Sequence, residues 1–114
     1  MITTSGGNGM NIEELEMICF QLITVAGSAK SNYIEAIAKA KAGQYDEANK
    51  LIADADELLK QGHSPHIDLV QREAAGEDIH VSLILAHAED QMMSMEVFKI
   101  MAEELVAVYK KINN

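Results

Sequence analysis

The chain is poor in the residues that β-sheet and disulfide-rich proteins use. It has no tryptophan, three tyrosines, two phenylalanines and a single proline, Pro65, among its 114 residues. Alanine, leucine, methionine, glutamate and lysine are abundant instead, and these are strong helix formers. The length suits one domain with one core and is too short for two. Composition therefore predicts a single all-α domain.

Basic residues and cysteines are also scarce. Nine lysines and arginines face eighteen acidic residues, which gives a net charge of −9. Such a surface repels phosphate backbones, so we expect no nucleic-acid partner. It would suit a basic protein partner, although acidic surfaces also serve solubility. The lone Cys19 cannot form an internal disulfide, and its apolar neighbours predict a small buried side chain.

The chain lacks long apolar runs and targeting signals. No run reaches the roughly 20 residues that span a bilayer, and the N-terminus has no basic and apolar regions of a signal peptide. We therefore expect a cytoplasmic protein without direct membrane insertion. Residues 1–9 are polar and glycine-rich, which is typical of a disordered tail or a remnant of an expression tag. The domain is expected to cover residues 10–114.

Apolar residues recur with the 3.6-residue period of helices along most of the chain. Asn11 can cap a first helix, and Gly43 can end it. A second helix is expected from 45–46 to just before Gly76. We expect an interruption within 62–65, because proline disfavours helical geometry in the residue before it.

A third helix is expected from about Val81 to Ile112. With short joints, the three helices predict an antiparallel three-helix bundle. The apolar stripe of the third helix is wider than one core face needs; the residues expected outside the core are Leu83, Leu85, Val97, Ile100 and Met101. We therefore predict self-association through this excess face.

The most informative pair is His87 and Asp90. Residues three apart share a helix face, so both side chains lie on one side of the third helix. A neutral imidazole can accept a phosphoryl group or bind a metal, and it can also be a structural histidine. His63 and His66 have a similar spacing, but two ligands make a weak zinc signal, and exposed histidines at a helix break are favoured. His80 is expected to be incidental.

Four segments carry a resemblance to a known family. They are Ile23-Thr-Val-Ala-Gly-Ser-Ala-Lys-Ser31, Ala38-Lys-Ala-Lys-Ala-Gly-Gln-Tyr45, Glu73-Ala-Ala-Gly-Glu77 and Val81-Ser-Leu-Ile-Leu-Ala-His-Ala-Glu-Asp90. From Met10 onward the chain resembles the IIA component of the lactose/cellobiose group of the bacterial sugar phosphotransferase system. The last segment is the most specific of the four.

The resemblance implies a phosphoryl carrier. His87 would accept phosphate from HPr and pass it to a cysteine of the cognate IIB protein, during uptake of a β-linked disaccharide. Ala88 and the Val81-Ser-Leu83 segment favour cellobiose or diacetylchitobiose over lactose. The resemblance also implies a homotrimer in which Asp90 binds a divalent cation, expected to be Mg²⁺, on the trimer axis, because three converging carboxylates repel one another.

Two residues depart from the family pattern. Gln91 stands where the family usually has a second histidine, and Glu89 replaces the common glutamine, adding a negative charge next to His87 in sequence. Gln91 could donate a hydrogen bond to a phosphoryl oxygen, and His63 matches a histidine that may belong to the same pocket. These departures keep open a non-catalytic, regulatory interaction bundle. A histidine phosphotransfer domain of a signalling relay is the other alternative, but such domains carry a lysine where Asp90 stands.

Overall fold

The computed structural model describes residues 9–113. Three helices form an antiparallel bundle of 62 × 22 × 19 Å: α1 (Ile12–Lys41), α2 (Tyr45–Ala74) and α3 (Leu83–Asn113). The predicted all-α three-helix fold is confirmed. None of these helices combines the length and apolarity needed to cross a membrane. The predicted tail at 1–9 lies outside the described residues, except for Gly9.

The helix ends follow the local chemistry of the sequence. Asn11 caps α1 as predicted, because its side-chain oxygen accepts a hydrogen bond from the Glu14 N–H at 3.1 Å. Gly43 and Gly76 follow α1 and α2 with φ of 81° and 99°, values that glycine adopts without a steric penalty. Short joints then turn each helix back along its predecessor.

The predicted interruption of the second helix is wrong. α2 runs without a break through 62–65, with Pro65 inside it. The proline removes one backbone hydrogen bond, but buried residues on both sides, Ala55 and Leu69, keep α2 in contact with the core. Tertiary packing therefore outweighs the local preference of the proline.

Small side chains allow the three helices to approach closely. Eight alanines have no exposed surface: Ala26, Ala29, Ala36, Ala40, Ala48, Ala55, Ala88 and Ala102. Gly62 marks the tightest approach, since a Cβ built there would lie 3.1 Å from Met92 Cε and 3.2 Å from Val25 Cγ1. Alanine and glycine thus set the spacing of the bundle.

Helices α2 and α3 pack mainly on α1 and contact each other less. Polar contacts at three levels, which we call the rungs, join α2 directly to α3. They are His66–Glu89 at 2.8 Å, Asp56–Lys99 at 3.6 Å, and the Tyr45 hydroxyl donating to the Tyr109 carbonyl at 3.2 Å. At the level of Tyr45, the Asn113 amide also donates to the Tyr45 hydroxyl at 2.7 Å. Successive rungs are ten or eleven residues apart on each helix, which is about three helical turns. All three therefore lie along one seam.

A cross-helix network surrounds the middle rung. Tyr33 of α1 is fully buried, and its hydroxyl donates to Asp56 Oδ1 at 2.6 Å. Lys99 of α3 lies 3.6 Å from Asp56 Oδ2 and also pairs with Glu103 at 2.9 Å. One aspartate thus connects all three helices at mid-bundle.

Candidate functional site

His87 lies in the second turn of α3 and is exposed to solvent. Within residues 9–113, no hydrogen bond or ion pair engages its ring. The start of α3 is fixed by Ser82, whose hydroxyl accepts a hydrogen bond from the Leu85 N–H at 3.2 Å. The imidazole is therefore held on a rigid helix and is open to a reaction partner.

The first turn of α3 differs from those of the other helices in its charge. α1 begins with Glu13 and Glu14, and α2 with Asp46 and Glu47, whereas α3 has no acid in its first turn. Helical side chains lean toward the N-terminus of their helix, so the His87 ring leans toward this positive end of the helix dipole. A negatively charged group on the ring would be stabilised there by the helix dipole, whereas the C-terminal end of the helix would destabilise it.

A row of exposed side chains runs along α3 beside His87; we call Leu83, Asp90, Ser94, Val97 and Met101 the outward stripe. Its apolar members are largely exposed, with Leu83 at 88% and Val97 at 62%. The predicted excess apolar face is therefore present. Ile100, whose side chain is 58% exposed, also belongs to this face.

Leu85 corrects one part of that prediction. It was expected outside the core, but it is only 9% exposed. Leu83 precedes it by two residues, which places the two side chains on nearly opposite sides of α3. The face of Leu85 packs into the bundle together with Ala88 and Met92.

Asp90 lies on the outward stripe as the spacing predicted. Its carboxylate is exposed, and Ser94 Oγ lies 3.5 Å from its Oδ1. The side chains of residues three apart on a helix point about 60° away from each other. Asp90 therefore lies within the outward stripe, and His87 lies at its edge. The two side chains share a side of the helix without forming one contact within the described residues.

Next to the outward stripe lies an apolar groove between α1 and α3, with a volume of about 580 Å³. Ile37 of α1 and Val97, Phe98, Met101 and Leu105 of α3 line it. The groove and the stripe together form a continuous apolar surface that the bundle itself leaves uncovered.

Gln91 and His63, the two other residues predicted to line the pocket, lie at the same height along the bundle as each other. Gln91 follows His87 by one turn on the same side of α3 and is half-buried. His63 is exposed on α2, next to Gly62, which abuts Met92. No hydrogen bond joins Gln91 to His63 in the described part of the chain, so a shared pocket stays a prediction.

The structure reveals a contact that the sequence did not predict. Glu89 lies two residues after His87, about 160° around the helix, and faces α2. There its carboxylate oxygens lie 2.8 and 2.9 Å from His66 Nε2. The negative charge expected beside His87 is therefore directed away from it. The sequence held no signal for this pair, because its partners are 23 residues apart on different helices.

Cys19 is fully buried, as predicted. Burial raises the pKa of its thiol, and the nearby carboxylates of Glu89 and Glu16 raise it further. A thiol that resists ionisation is a poor nucleophile. The imidazole of His87, by contrast, is exposed to solvent.

These features define a three-helix domain with a solvent-facing histidine beside an uncovered apolar surface. The family model "PTS system, Lactose/Cellobiose specific IIA subunit" matches residues 17–110. The chain therefore belongs to this family, and it is a IIA component, a carrier in sugar phosphotransfer. The resemblance inferred from the sequence segments is confirmed.

Individual relatives agree with this assignment. The lichenan-specific phosphotransferase enzyme IIA component of Bacillus subtilis is 42% identical over 100 residues, covering 88% of this chain and 91% of the relative. The cellobiose-specific enzyme IIA of Bacillus anthracis superposes with a TM-score of 0.84 at 36% identity, over 91% of this chain and 94% of that one.

A third relative was solved together with a partner. It is the chitobiose IIA protein of Escherichia coli in complex with HPr, which superposes with a TM-score of 0.76 at 26% identity. The superposition covers 88% of this chain and 97% of that chain.

Proposed function

We propose that His87 is the phosphoryl acceptor of this chain, taking phosphate from HPr and passing it to a cysteine of a IIB protein. The observation that carries the proposal is the exposed ring of His87, which no neighbour within residues 9–113 engages. A nucleophilic imidazole needs an accessible lone pair and no base of its own when the donor is already activated. The complex of the chitobiose IIA relative with HPr supports HPr as the donor.

Each transfer exchanges one bond to phosphorus. The lone pair of a His87 ring nitrogen attacks phosphorus, and the bond to the donor atom of HPr breaks, returning its electron pair to HPr. The IIB thiolate then attacks the same phosphorus, and the electron pair of the P–N bond returns to His87. The acid-free first turn of α3 favours the charge of the phosphoryl group while His87 carries it.

The experiment is a phosphotransfer assay with purified HPr, enzyme I and phosphoenolpyruvate. We expect one acid-labile phosphate per chain, located on His87 by mass spectrometry and absent from His87→Ala. His80→Ala, which changes an exposed histidine of the α2–α3 joint, is the matched control and should take up phosphate normally. Phosphate on another residue, or none on the wild-type protein, contradicts the proposal.

The transported sugar belongs to the same proposal. We propose a β-linked disaccharide of the cellobiose or diacetylchitobiose kind, supported by Ala88 and the Val81-Ser-Leu83 segment and by the cellobiose-specific and chitobiose relatives. Lactose-specific relatives match the chain as well, so lactose is the alternative that the test must exclude. Since a IIA protein carries phosphate rather than sugar, the test is growth of a deletion strain on each disaccharide. Loss of growth on lactose alone would contradict the choice.

We also propose that three copies assemble through the outward stripe. Their three Asp90 carboxylates together would bind a single divalent cation, expected to be Mg²⁺. The donor chemistry fits, because Asp90 supplies an exposed carboxylate in an apolar surrounding and hard cations prefer such oxygens. Within residues 9–113 a single chain assembles no group of three ligands, so the site needs the other copies. When bound, the cation would neutralise three carboxylates that otherwise repel.

Native mass spectrometry tests the assembly. We expect a trimer with one cation for the wild-type protein, and loss of the cation in Asp90→Asn. Val97→Glu, which charges the stripe without changing the carboxylate, should yield monomers. A wild-type monomer, or an Asp90→Asn trimer with its cation retained, would contradict the proposal.

A further inference from the structure

The His66–Glu89 rung lies on the side of α3 opposite His87 and at almost the same height. Glu89 follows His87 by two residues, which is about 3 Å along the helix axis. The side chains of His66 and Glu89 are 16% and 32% exposed. An ionised carboxylate can only accept hydrogen bonds, so His66 Nε2 is the donor of this contact.

Glu89 needs such a donor because of its surroundings. Its side chain is only 32% exposed, and its charge helps to raise the pKa of the buried Cys19 thiol. A partly buried carboxylate without a donor is costly and tends to turn toward water. Within the described residues, His66 is the side chain that donates to it.

Of the three rungs, this one lies nearest to His87 along α3. Helices α2 and α3 contact each other less than either contacts α1. The next rung, Asp56–Lys99, is about three turns away. If Glu89 lost its donor and turned toward water, Leu85, Ala88 and Met92 would still pack on the core, but the polar contact that fixes the first turns of α3 against α2 would be gone.

We propose that His66 is a positioning residue for phosphoryl transfer: by donating to Glu89 it holds the His87-bearing turns of α3 against α2. The inference rests on the proposed role of His87 as phosphoryl acceptor. His66 itself does not touch the phosphoryl group. Its effect passes through Glu89 and the backbone of α3.

Three variants separate this role from simple packing. His66→Ala removes the donor and leaves the carboxylate without a partner. His66→Gln keeps an N–H donor on a different side chain. The double variant H66A/E89Q lacks the donor but also lacks the charge that needs it. His80→Ala is again the matched control, since this exposed histidine makes no hydrogen bond or ion pair with the rung within residues 9–113.

The measurement is steady-state phosphoryl transfer from phosphorylated HPr, with helix content checked by circular dichroism. We expect His66→Ala to lower kcat about tenfold, because a misplacement of about 1 Å can cost about a hundredfold and a smaller shift costs less. KM for HPr should change less than kcat, because the exposed residues around His87 keep their identities. His66→Gln and H66A/E89Q should both recover most of the loss.

Two results would overturn the inference. One is a His66→Ala protein that transfers phosphate at the wild-type rate. The other is an equal loss in all three variants, which would indicate that only the packing of the imidazole matters. The wild-type and His87→Ala proteins are measured first. If phosphate does not reach His87, the proposed function fails and this inference falls with it, whereas a normal wild-type rate isolates the role of His66.

Discussion

Replacing Tyr33 by phenylalanine tests the network at mid-bundle. The ring is fully buried and would stay in place, so the change removes only the hydroxyl that donates to Asp56 at 2.6 Å. Hydrogen bonds to charged groups contribute about 1.5–3 kcal/mol. The side chain of Asp56 is 29% exposed, so water can replace part of the contact. We therefore expect a loss near the lower limit, about 1.5 kcal/mol.

Thermal unfolding at a fixed protein concentration measures this loss. A destabilisation of 1 kcal/mol lowers Tm by about 4–8 °C in a domain of this size, so Tyr33→Phe should lower it by about 6–12 °C. Tyr109→Phe is the matched control, because its half-buried hydroxyl has no hydrogen-bond partner within residues 9–113. An equal Tm for Tyr33→Phe and the wild type would refute the role of the network.

The pH dependence gives a second readout of the same hydroxyl. Burial raises the pKa of Tyr33 well above its ordinary value, and the hydrogen bond to Asp56 raises it further. In the unfolded chain the hydroxyl loses its proton near pH 10, while the folded chain keeps it. Above that pH the unfolded state binds fewer protons, so stability falls as pH rises. Tyr33→Phe should make this alkaline slope shallower without removing it, because the raised pKa of Lys99, caused first by its hydrogen bond to Glu103, contributes a slope of the same sign.

Three further changes test the packing described above. Gly62→Val should destabilise the fold by about 1–3 kcal/mol in urea unfolding, since added atoms would meet Met92 and Val25; unchanged stability would contradict the close approach. Pro65→Ala should raise Tm, because it restores a helical N–H; a lower Tm would show that the ring packs usefully. Cys19 should react with iodoacetamide only after denaturation, because it is buried and its pKa is raised; rapid labelling of the folded protein would contradict this.

The sequence predicted features that depend on near neighbours in the chain. The Asn11 cap, the stops at Gly43 and Gly76 and the helical periodicity all follow from local chemistry. The exposed stripe on α3 was also predictable, because it contains more apolar positions than one core face can bury. His87 was placed on the same side of α3 as Asp90, whereas its exposure to solvent is a finding of the structure.

The errors and omissions arise from contacts between helices. The break expected at Pro65 does not occur, because α1 holds α2 on both sides of it. Leu85 is buried because the exact direction of the core depends on how α3 is rotated against its neighbours. The His66–Glu89 pair could not be found, since no periodicity in one helix identifies a partner on another.

The even spacing of the rungs has a consequence for how the chain tolerates insertions. Sliding α2 past α3 by one turn would separate the partners of all three rungs at once. A shifted alignment of the two helices would therefore keep none of these contacts. Extra residues in the joint at 75–82 should therefore enlarge the loop and leave the two helices aligned. We accordingly expect the protein to tolerate a longer joint better than a four-residue insertion between two rungs. Such an insertion would shift the end of α3 that carries His87 relative to its partners on α2.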